Sequence, residues 1–342
     1  MPPTHGVNAV PALGTDSSAH QAPREYNDYD SAIGDIDRRS DRYGGTLRDT
    51  VLEYRVENGR TYHSLKEGSY WQPNDEPSQE RLDLTHNLFV ITFDNRMCMC
   101  PKNERARYVL DIGTGTGIWA CDFADEHPEA HTSQVVGVDL SPIQPHFVPT
   151  NCRFIIDDIE SEWLFDDKFD LVFIRNMLGC FESWQTVFER AYGGLEAGGY
   201  LEVQDVALPI KCDDGTLPED AVISYWCQLM LQAAEVAGRP IDITPRLADL
   251  MRQVGFEDVT VKKKRWPHAP WPRDRQMRLI GWWAREVSIS DLDGMCMKLL
   301  MEKLGLTVEE VKEICAKVEE DCDNLRYHAY WDVYSIYGRK PA

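Results

Sequence analysis

Apolar positions through the middle of the chain fall into short β-forming blocks separated by stretches of helical spacing. Tyr108-Val-Leu-Asp-Ile112, Gln134-Val-Val-Gly-Val-Asp-Leu140 and Arg153-Phe-Ile-Ile-Asp-Asp-Ile159 are three such blocks. Phe169-Asp-Leu-Val-Phe-Ile-Arg-Asn176 is almost continuously apolar, the pattern of a central parallel strand covered on both faces. Leu195 to Asp205, with Gly198 and Gly199 in a turn, reads as a fifth strand. Between the last two, Phe181 to Tyr192 places Trp184, Val187, Phe188 and Ala191 on one helical face. Alternation at this spacing calls for a doubly wound α/β sheet.

The pattern loosens beyond the fifth strand. Pro218 to Ala237 reads as an apolar helix able to roof a site. Thr244 to Val254 reads as another, with Thr244 as N-cap, Pro245 in the first turn and Gly255 as the stop. Phe256 to Trp266 is a sixth strand. A helical insertion rich in Trp, Met and Leu then spans about 273–324. Arg326 to Gly338, a strand of alternating aromatics, is expected to pair antiparallel with the sixth. Ahead of the sheet, residues 54–99 read as an aromatic-rich helical leader, and residues 1–45 lack periodicity and read as a mostly disordered tail. The expected boundaries are 1–45 (tail), 46–104 (leader), 105–266 (core with roofing helix), 267–325 (helical insertion) and 326–342 (closing strand).

The candidate chemistry lies at the end of the first core strand. Asp111-Ile-Gly-Thr-Gly-Thr-Gly117 leads directly into an amphipathic segment. Glycines at 113, 115 and 117 let the backbone turn tightly and let a ligand approach the main chain. Asp139 ends the next strand, where a carboxylate can accept from both vicinal hydroxyls of a ribose. The dinucleotide fingerprint is G-x-G-x-x-G and faces a pyrophosphate. Here the spacing is D-x-G-x-G-x-G, and the carboxylate of Asp111 would repel phosphate but accept an ammonium group. S-adenosylmethionine (SAM) offers an ammonium, a sulfonium and a ribose, and no phosphate.

On these residues the chain resembles the class I SAM-dependent methyltransferases. The leader motif Tyr70-Trp-x-Pro-Asn-Asp-Glu-x-x-x-x-Arg-Leu-Asp83 resembles that of the fungal LaeA-like methyltransferases, over roughly residues 50–265. The resemblance implies a Rossmann-like, seven-stranded, mostly parallel sheet with a helical leader and helical caps. It implies SAM as cofactor, with Asp111, Gly113, Gly115, Gly117, Asp139 and Leu140 around its methionine and ribose. Asp158 and Ile159 would flank the adenine. The methionine carboxylate needs donors; Tyr70 and Arg81 are the candidates to fold over it, with plain packing of Tyr70 and Trp71 as the alternative. Arg175, Asn176 and Asp205 belong at the carboxyl strand edge, facing the donor methyl by topology, and His268 is the one further candidate base. Tyr225, Trp226, Met230, Trp282 and Trp283 are candidates for an apolar acceptor pocket. His63 and His86 read as satisfied structural histidines.

Composition narrows the partners. A net charge of −21 argues against nucleic acid, which requires a basic face. The single basic run, Lys262 to Arg265, alternates with Val259 and Val261 as the solvated end of a strand. Ten cysteines without a signal peptide or a membrane-length apolar run suggest a reduced compartment, cytoplasmic or, for a regulator, nuclear. Cys98-Met-Cys100 lacks two further ligands nearby, so no metal is expected. Three functions remain open. The first is O-directed methylation of a small aromatic or polyketide-like metabolite. The others are a regulatory methyltransferase working with protein partners and a SAM fold recruited to a non-methylating reaction.

Overall fold

The computed structural model describes residues 54–66, 68, 70–127 and 134–342; the expected tail, 1–45, lies outside them. The leader opens not on a helix but on a hairpin, β1 (Arg55–Glu57) and β2 (Arg60–Tyr62), turning through Asn58 and Gly59, both at positive φ. Helix α1 (Glu76–Thr92) follows, with a proline in its first turn. The core then alternates: β3 (Tyr108–Ile112), α2 (Ile118–Glu126), β4 (Gln134–Asp139), β5 (Cys152–Ile156), β6 (Phe169–Arg175), α3 (Trp184–Gly194) and β7 (Leu195–Cys212). Next come α4 (Val222–Val236), α5 (Leu247–Val254), β8 (Glu257–Pro267), α6 (Arg275–Ile289), α7 (Leu292–Leu304), α8 (Val308–Cys322) and β9 (Ala329–Arg339).

Seven strands form one sheet in the order β5-β4-β3-β6-β7-β9-β8. The first five are parallel, and β9 inserts antiparallel between β7 and β8. The chain order reverses on either side of β3, so the carboxyl ends of β3 and β6 form the topological switch point where such sheets bind ligands. Strand alternation sorts the two faces. Leu110, Val136 and Val172 pack with Phe188 of α3 and Met251 of α5, while Val109, Val135 and Phe173 pack with Trp119 and Phe123 of α2. This double cover is why β6 reads as unbroken apolar sequence.

Local signals set the helix ends. Ser183 Oγ accepts from Thr186 N at 3.1 Å and starts α3 at Trp184, three residues later than periodicity suggests. Gly255, at φ 113°, stops α5. Thr244 is not an N-cap: its hydroxyl donates to the Val206 carbonyl at 2.7 Å, and residues 244–246 form a 3-10 turn before α5. The insertion is three helices, the last opened by a capping box between Thr307 and Glu310. α4, α7 and α8 share an apolar core with Ala329 and Trp331 of β9. On the other side of the cap, Leu88, Phe89 and Phe93 of α1 meet Trp266, Ile280 and Ala284. No helix among the described residues is long and apolar enough to cross a membrane.

Two polar braces fix the leader. Arg60 grips both oxygens of Asp75 at 2.7 Å and reaches Asp291, before α7, at 2.8 Å; Ser78 also donates to Asp291. Beyond α1, buried Glu202 of β7 accepts from the backbone of Met99 and Cys100 and from Ser335. The thiols of Cys98 and Cys100 are 3.7 Å apart beside it. Glu202 is thus a third potential ligand from a distant strand, but its oxygens are already taken up in tying the leader to the sheet.

Candidate functional site

A cleft opens at the carboxyl ends of β3, β4, β5 and β6, and α1 lies along it. Its floor is the glycine loop. Gly113, Gly115 and Gly117 all have positive φ, at 69°, 57° and 81°, as the tight strand-to-helix turn requires. Gly113 N and Thr114 N donate to the Val138 carbonyl, locking the loop to β4. Gln144 Nε2 props the Gly115 carbonyl at 2.6 Å, and Thr116 Oγ1 donates to Asp83 of α1 at 2.6 Å. The three glycines serve different ends. A Cβ on Gly117 would meet the Phe154 ring at 2.4 Å, so that glycine serves packing and stands off the cleft wall. A Cβ on Gly115 would touch only the Leu82 side chain, at 3.3 Å.

Two carboxylates face the loop. Asp139 accepts from Gly115 N at 2.8 Å and Ser141 N at 2.9 Å, and Asp111 accepts from Thr114 Oγ1 at 2.6 Å. Each oxygen keeps acceptor capacity for a ligand. Burial pushes both carboxyls up from 3.8 to about 6, because little water reaches their charged forms. Leu140, Ile159 and Asp158 line the adjoining wall. Lys66, from the leader, reaches Asp158 at 2.9 Å and Glu160 at 3.3 Å, closing that end.

Arg175 is the cation on the β6 side of the cleft. Its Nη2 donates to Nδ1 of His86 at 2.7 Å, and His86 Nε2 faces Asp122 at 3.0 Å. That network sets the histidine as the Nε2–H tautomer, and burial lowers its basicity. Burial also pulls Arg175 down to about 10, with Asp111 opposing the shift, so it stays charged at neutral pH. Asp111 and Asp139 set against the Arg175 guanidinium suit a ligand bearing an ammonium, a sulfonium and a carboxylate. His86 is a satisfied buried histidine, as expected, and α1 carries it onto the cleft wall beside Arg175.

Arg81 is placed differently from expectation. It lines a second cavity, its Nη2 donating to Gln72 Oε1 at 2.5 Å and its Nε 3.9 Å from Asp291. Tyr70 does line the cleft. Its neighbour Trp71 packs over Gly179, where a Cβ would sit 2.0 Å from the indole, and lines the second cavity.

That cavity has a volume of ≈ 160 Å³ and lies between the leader, β7, α4 and the inserted helices. An engineered apolar cavity of about 150 Å³ stays dry and accepts benzene. Trp226 and Met230 line it; Tyr225, one position earlier on α4, is 51% exposed and points away. Trp282 is 47% exposed, and Trp283 packs toward α1, so neither reaches the cavity. Their helix instead presents Ala284, Val287 and Ser288. Thr85 and Asn176 line both cavities and form the junction between them. Asn176 is held at φ 57°, where Asn is tolerated better than most residues.

Asp205 stands behind that junction, not on it. It is buried and accepts from Met177 N at 2.7 Å and Val206 N at 2.8 Å, and burial raises it to about 7. It therefore fixes the backbone that carries Asn176. His268 is fully buried with Nδ1 3.2 Å from the Ala329 carbonyl, its basicity lowered by burial, and lines neither cavity.

Three N–H groups on residues that line the second cavity have no hydrogen-bond partner in the protein: Trp71 Nε1, Trp226 Nε1 and Arg81 Nε, the last 3.9 Å from Asp291. The other two wall tryptophans are satisfied, Trp266 by Thr92 Oγ1 at 2.6 Å and Trp331 by Cys227. A buried donor left unmade costs about 1–3 kcal/mol.

A glycine loop, an acid ending the second core strand and a guanidinium at the switch point of a seven-stranded sheet define a SAM-binding methyltransferase core. The family described as "Methyltransferase domain" matches residues 84–261, and the chain belongs to it, as a SAM-dependent methyltransferase. Methyltransferase pytC of Aspergillus terreus is 35% identical over 296 residues, covering 86% of this chain and 91% of that protein. The secondary metabolism regulator laeA of Aspergillus fumisynnematus is 35% identical over 83% of this chain and 76% of its own length. The probable methyltransferase tdiE of Emericella nidulans is 32% identical over 86% of this chain and 92% of its own.

Proposed function

We propose that the chain transfers the methyl group of SAM to a hydroxyl of a small, flat aromatic or polyketide-like metabolite held in the second cavity. The observation that carries this reading is the junction: Thr85 and Asn176 belong to the walls of both the cofactor cleft and the apolar cavity. An acceptor in one can therefore meet a donor in the other. In this reading Asp139 and Leu140 hold the ribose, and Asp158 and Ile159 the adenine. Asp111 and the Gly113–Gly115 loop hold the methionine ammonium, and Arg175 its carboxylate, with Tyr70 covering. Asn176 orients the nucleophile. When bound, SAM supplies an activated methyl group and a neutral leaving group, so in-line positioning supplies much of the rate.

An apolar cavity in a chain of net charge −21 also favours a small, weakly charged acceptor over an anionic macromolecule. The test is formation of S-adenosylhomocysteine (SAH) and a methylated product with a panel of planar hydroxylated metabolites. SAH formation independent of every acceptor would refute the reading. The relative named as a regulator is as similar as the one named for methyl transfer, which favours one second reading: SAM binding within a regulatory protein complex. A stable complex with a protein partner and no turnover would support it.

A further inference from the structure

The second cavity carries donors and no base. Three of its lining residues, Trp71, Trp226 and Arg81, which are 6%, 9% and 3% exposed, each hold a buried N–H with no hydrogen-bond partner in the protein. Among the described residues its wall holds no Asp, Glu, His, Lys or Tyr. The one thiol there, Cys322, is pushed up to about 12 by burial and stays protonated at neutral pH. The nearest groups that could take a proton are already committed. Asp205 lies off the wall and accepts two backbone N–H bonds, and His86 is held between Arg175 and Asp122. Asp291 is bound by Arg60 and Ser78.

An aliphatic alcohol or a simple phenol arrives neutral at pH 7 and would need a base. A wall of donors does the reverse: it stabilises an oxygen that is already an anion or a conjugated carbonyl. Resting on the O-methylation reading above, we infer that the acceptor is a vinylogous acid. That means a planar enol conjugated to a carbonyl, which ionises in water and binds as its enolate. Trp71, Trp226 and Arg81 then serve as its oxyanion and carbonyl donors. In the step itself the enol proton has already gone to solvent. One enolate lone pair forms the O–CH3 bond as the C–S bond breaks, and that bond's electrons return to sulfur, leaving neutral SAH and a neutral enol ether. The donors determine acceptor specificity; the reaction takes no proton from the acceptor inside the cavity.

4-Hydroxycoumarin, a flat vinylogous acid, and 2-naphthol, a flat phenol without a carbonyl, separate the possibilities. Calorimetry on the SAH-loaded protein, with ultraviolet spectra of the bound acceptor, should show 4-hydroxycoumarin bound as its anion and 2-naphthol at least about tenfold weaker. Trp226→Phe and Trp71→Phe remove the N–H and one ring of the indole but keep an aromatic face. Each should weaken 4-hydroxycoumarin about 10-fold or more and leave 2-naphthol and SAH affinity unchanged, in a protein that still melts cooperatively. Equal binding of the two probes, no binding of the anion, or indifference to both substitutions overturns the inference. The underlying reading fails separately. Donor-dependent binding of the anion with no methyl transfer to any hydroxyl keeps the inference about recognition and removes O-methylation. Methylation of 2-naphthol at a rate matching 4-hydroxycoumarin does the opposite.

Discussion

Arg175 donates to Nδ1 of His86 across 2.7 Å, and the same imidazole faces Asp122 with its other nitrogen at 3.0 Å. A guanidinium from β6 is thereby aimed by a histidine from α1, so the leader helps to set a charge that the sheet supplies. His86→Ala should weaken SAM binding by about 1–2 kcal/mol, and Arg175→Leu by more, since the latter removes the cation itself. His86→Gln keeps an acceptor near Arg175 and should recover part of the loss. Calorimetry on the three variants checks this, and unchanged affinity in all of them would leave the pair as packing.

The cleft carboxylates give SAM binding a pH dependence of defined sign. Asp111 and Asp139 sit near 6 in the folded, unliganded chain, against an ordinary 3.8. A group raised on folding binds more protons in the folded state between those values. Its contribution to stability is therefore present below about 3.8 and lost as pH rises through 6. SAM reverses the preference, because an ammonium and a ribose favour ionised acids. Affinity should be full above pH 7 and fall on the order of 10- to 100-fold by pH 5, while Asp139→Ala at pH 7.5 should cost about 1.5–3 kcal/mol. A flat pH profile in the wild-type protein would remove both acids from the assignment.

Closure of the leader is the third expectation. Lys66 reaches Asp158, and Asp83 takes the Thr116 hydroxyl, so both ends of the segment touch the cofactor cleft. Hydrogen exchange across residues 70–83 should slow when SAH binds. Exchange at equal rates with and without ligand would mean that Tyr70 is ordinary packing.

How much of this was legible depended on whether the signal was local. The glycine loop, Asp139 and the apolar run of β6 are written within a few residues each, and all lie where the sheet places them. His86 was read as satisfied, and it is, but its partners, Arg175 and Asp122, arrive from β6 and α2 and were not legible. Asp205 looked catalytic because the fifth strand was expected to end there; β7 runs on to Cys212, and the carboxylate holds the backbone of Met177. Trp282 and Trp283 drew attention by size, yet α6 turns Ala284, Val287 and Ser288 to the cavity, small residues that no search for aromatics selects. A helical period gives the face of a helix but not what covers it. The hairpin before α1 is three residues per strand, too short for any period to emerge.

Tyr225 and Trp226 offer the sharpest test of the acceptor side, since they are neighbours on α4 with opposite surroundings. Trp226 is 9% exposed and lines the second cavity; Tyr225 is 51% exposed. Trp226→Ala removes one wall and should raise the KM for the acceptor or lower kcat while leaving SAM affinity intact. It should also destabilise the protein by up to about 3–5 kcal/mol, the range for a large aromatic deleted from a core. Met230→Ala, which costs less aromatic packing, separates pocket from core: it should shift acceptor KM in a protein that still melts cooperatively. Tyr225→Ala and Trp282→Ala, outside the cavity, should change neither parameter by more than about twofold, in line with a stability effect within 0.5 kcal/mol for surface substitutions. Steady-state kinetics beside thermal melts decide the matter. Loss of acceptor turnover in Trp282→Ala with none in Met230→Ala would move the acceptor site to the outer face of α6.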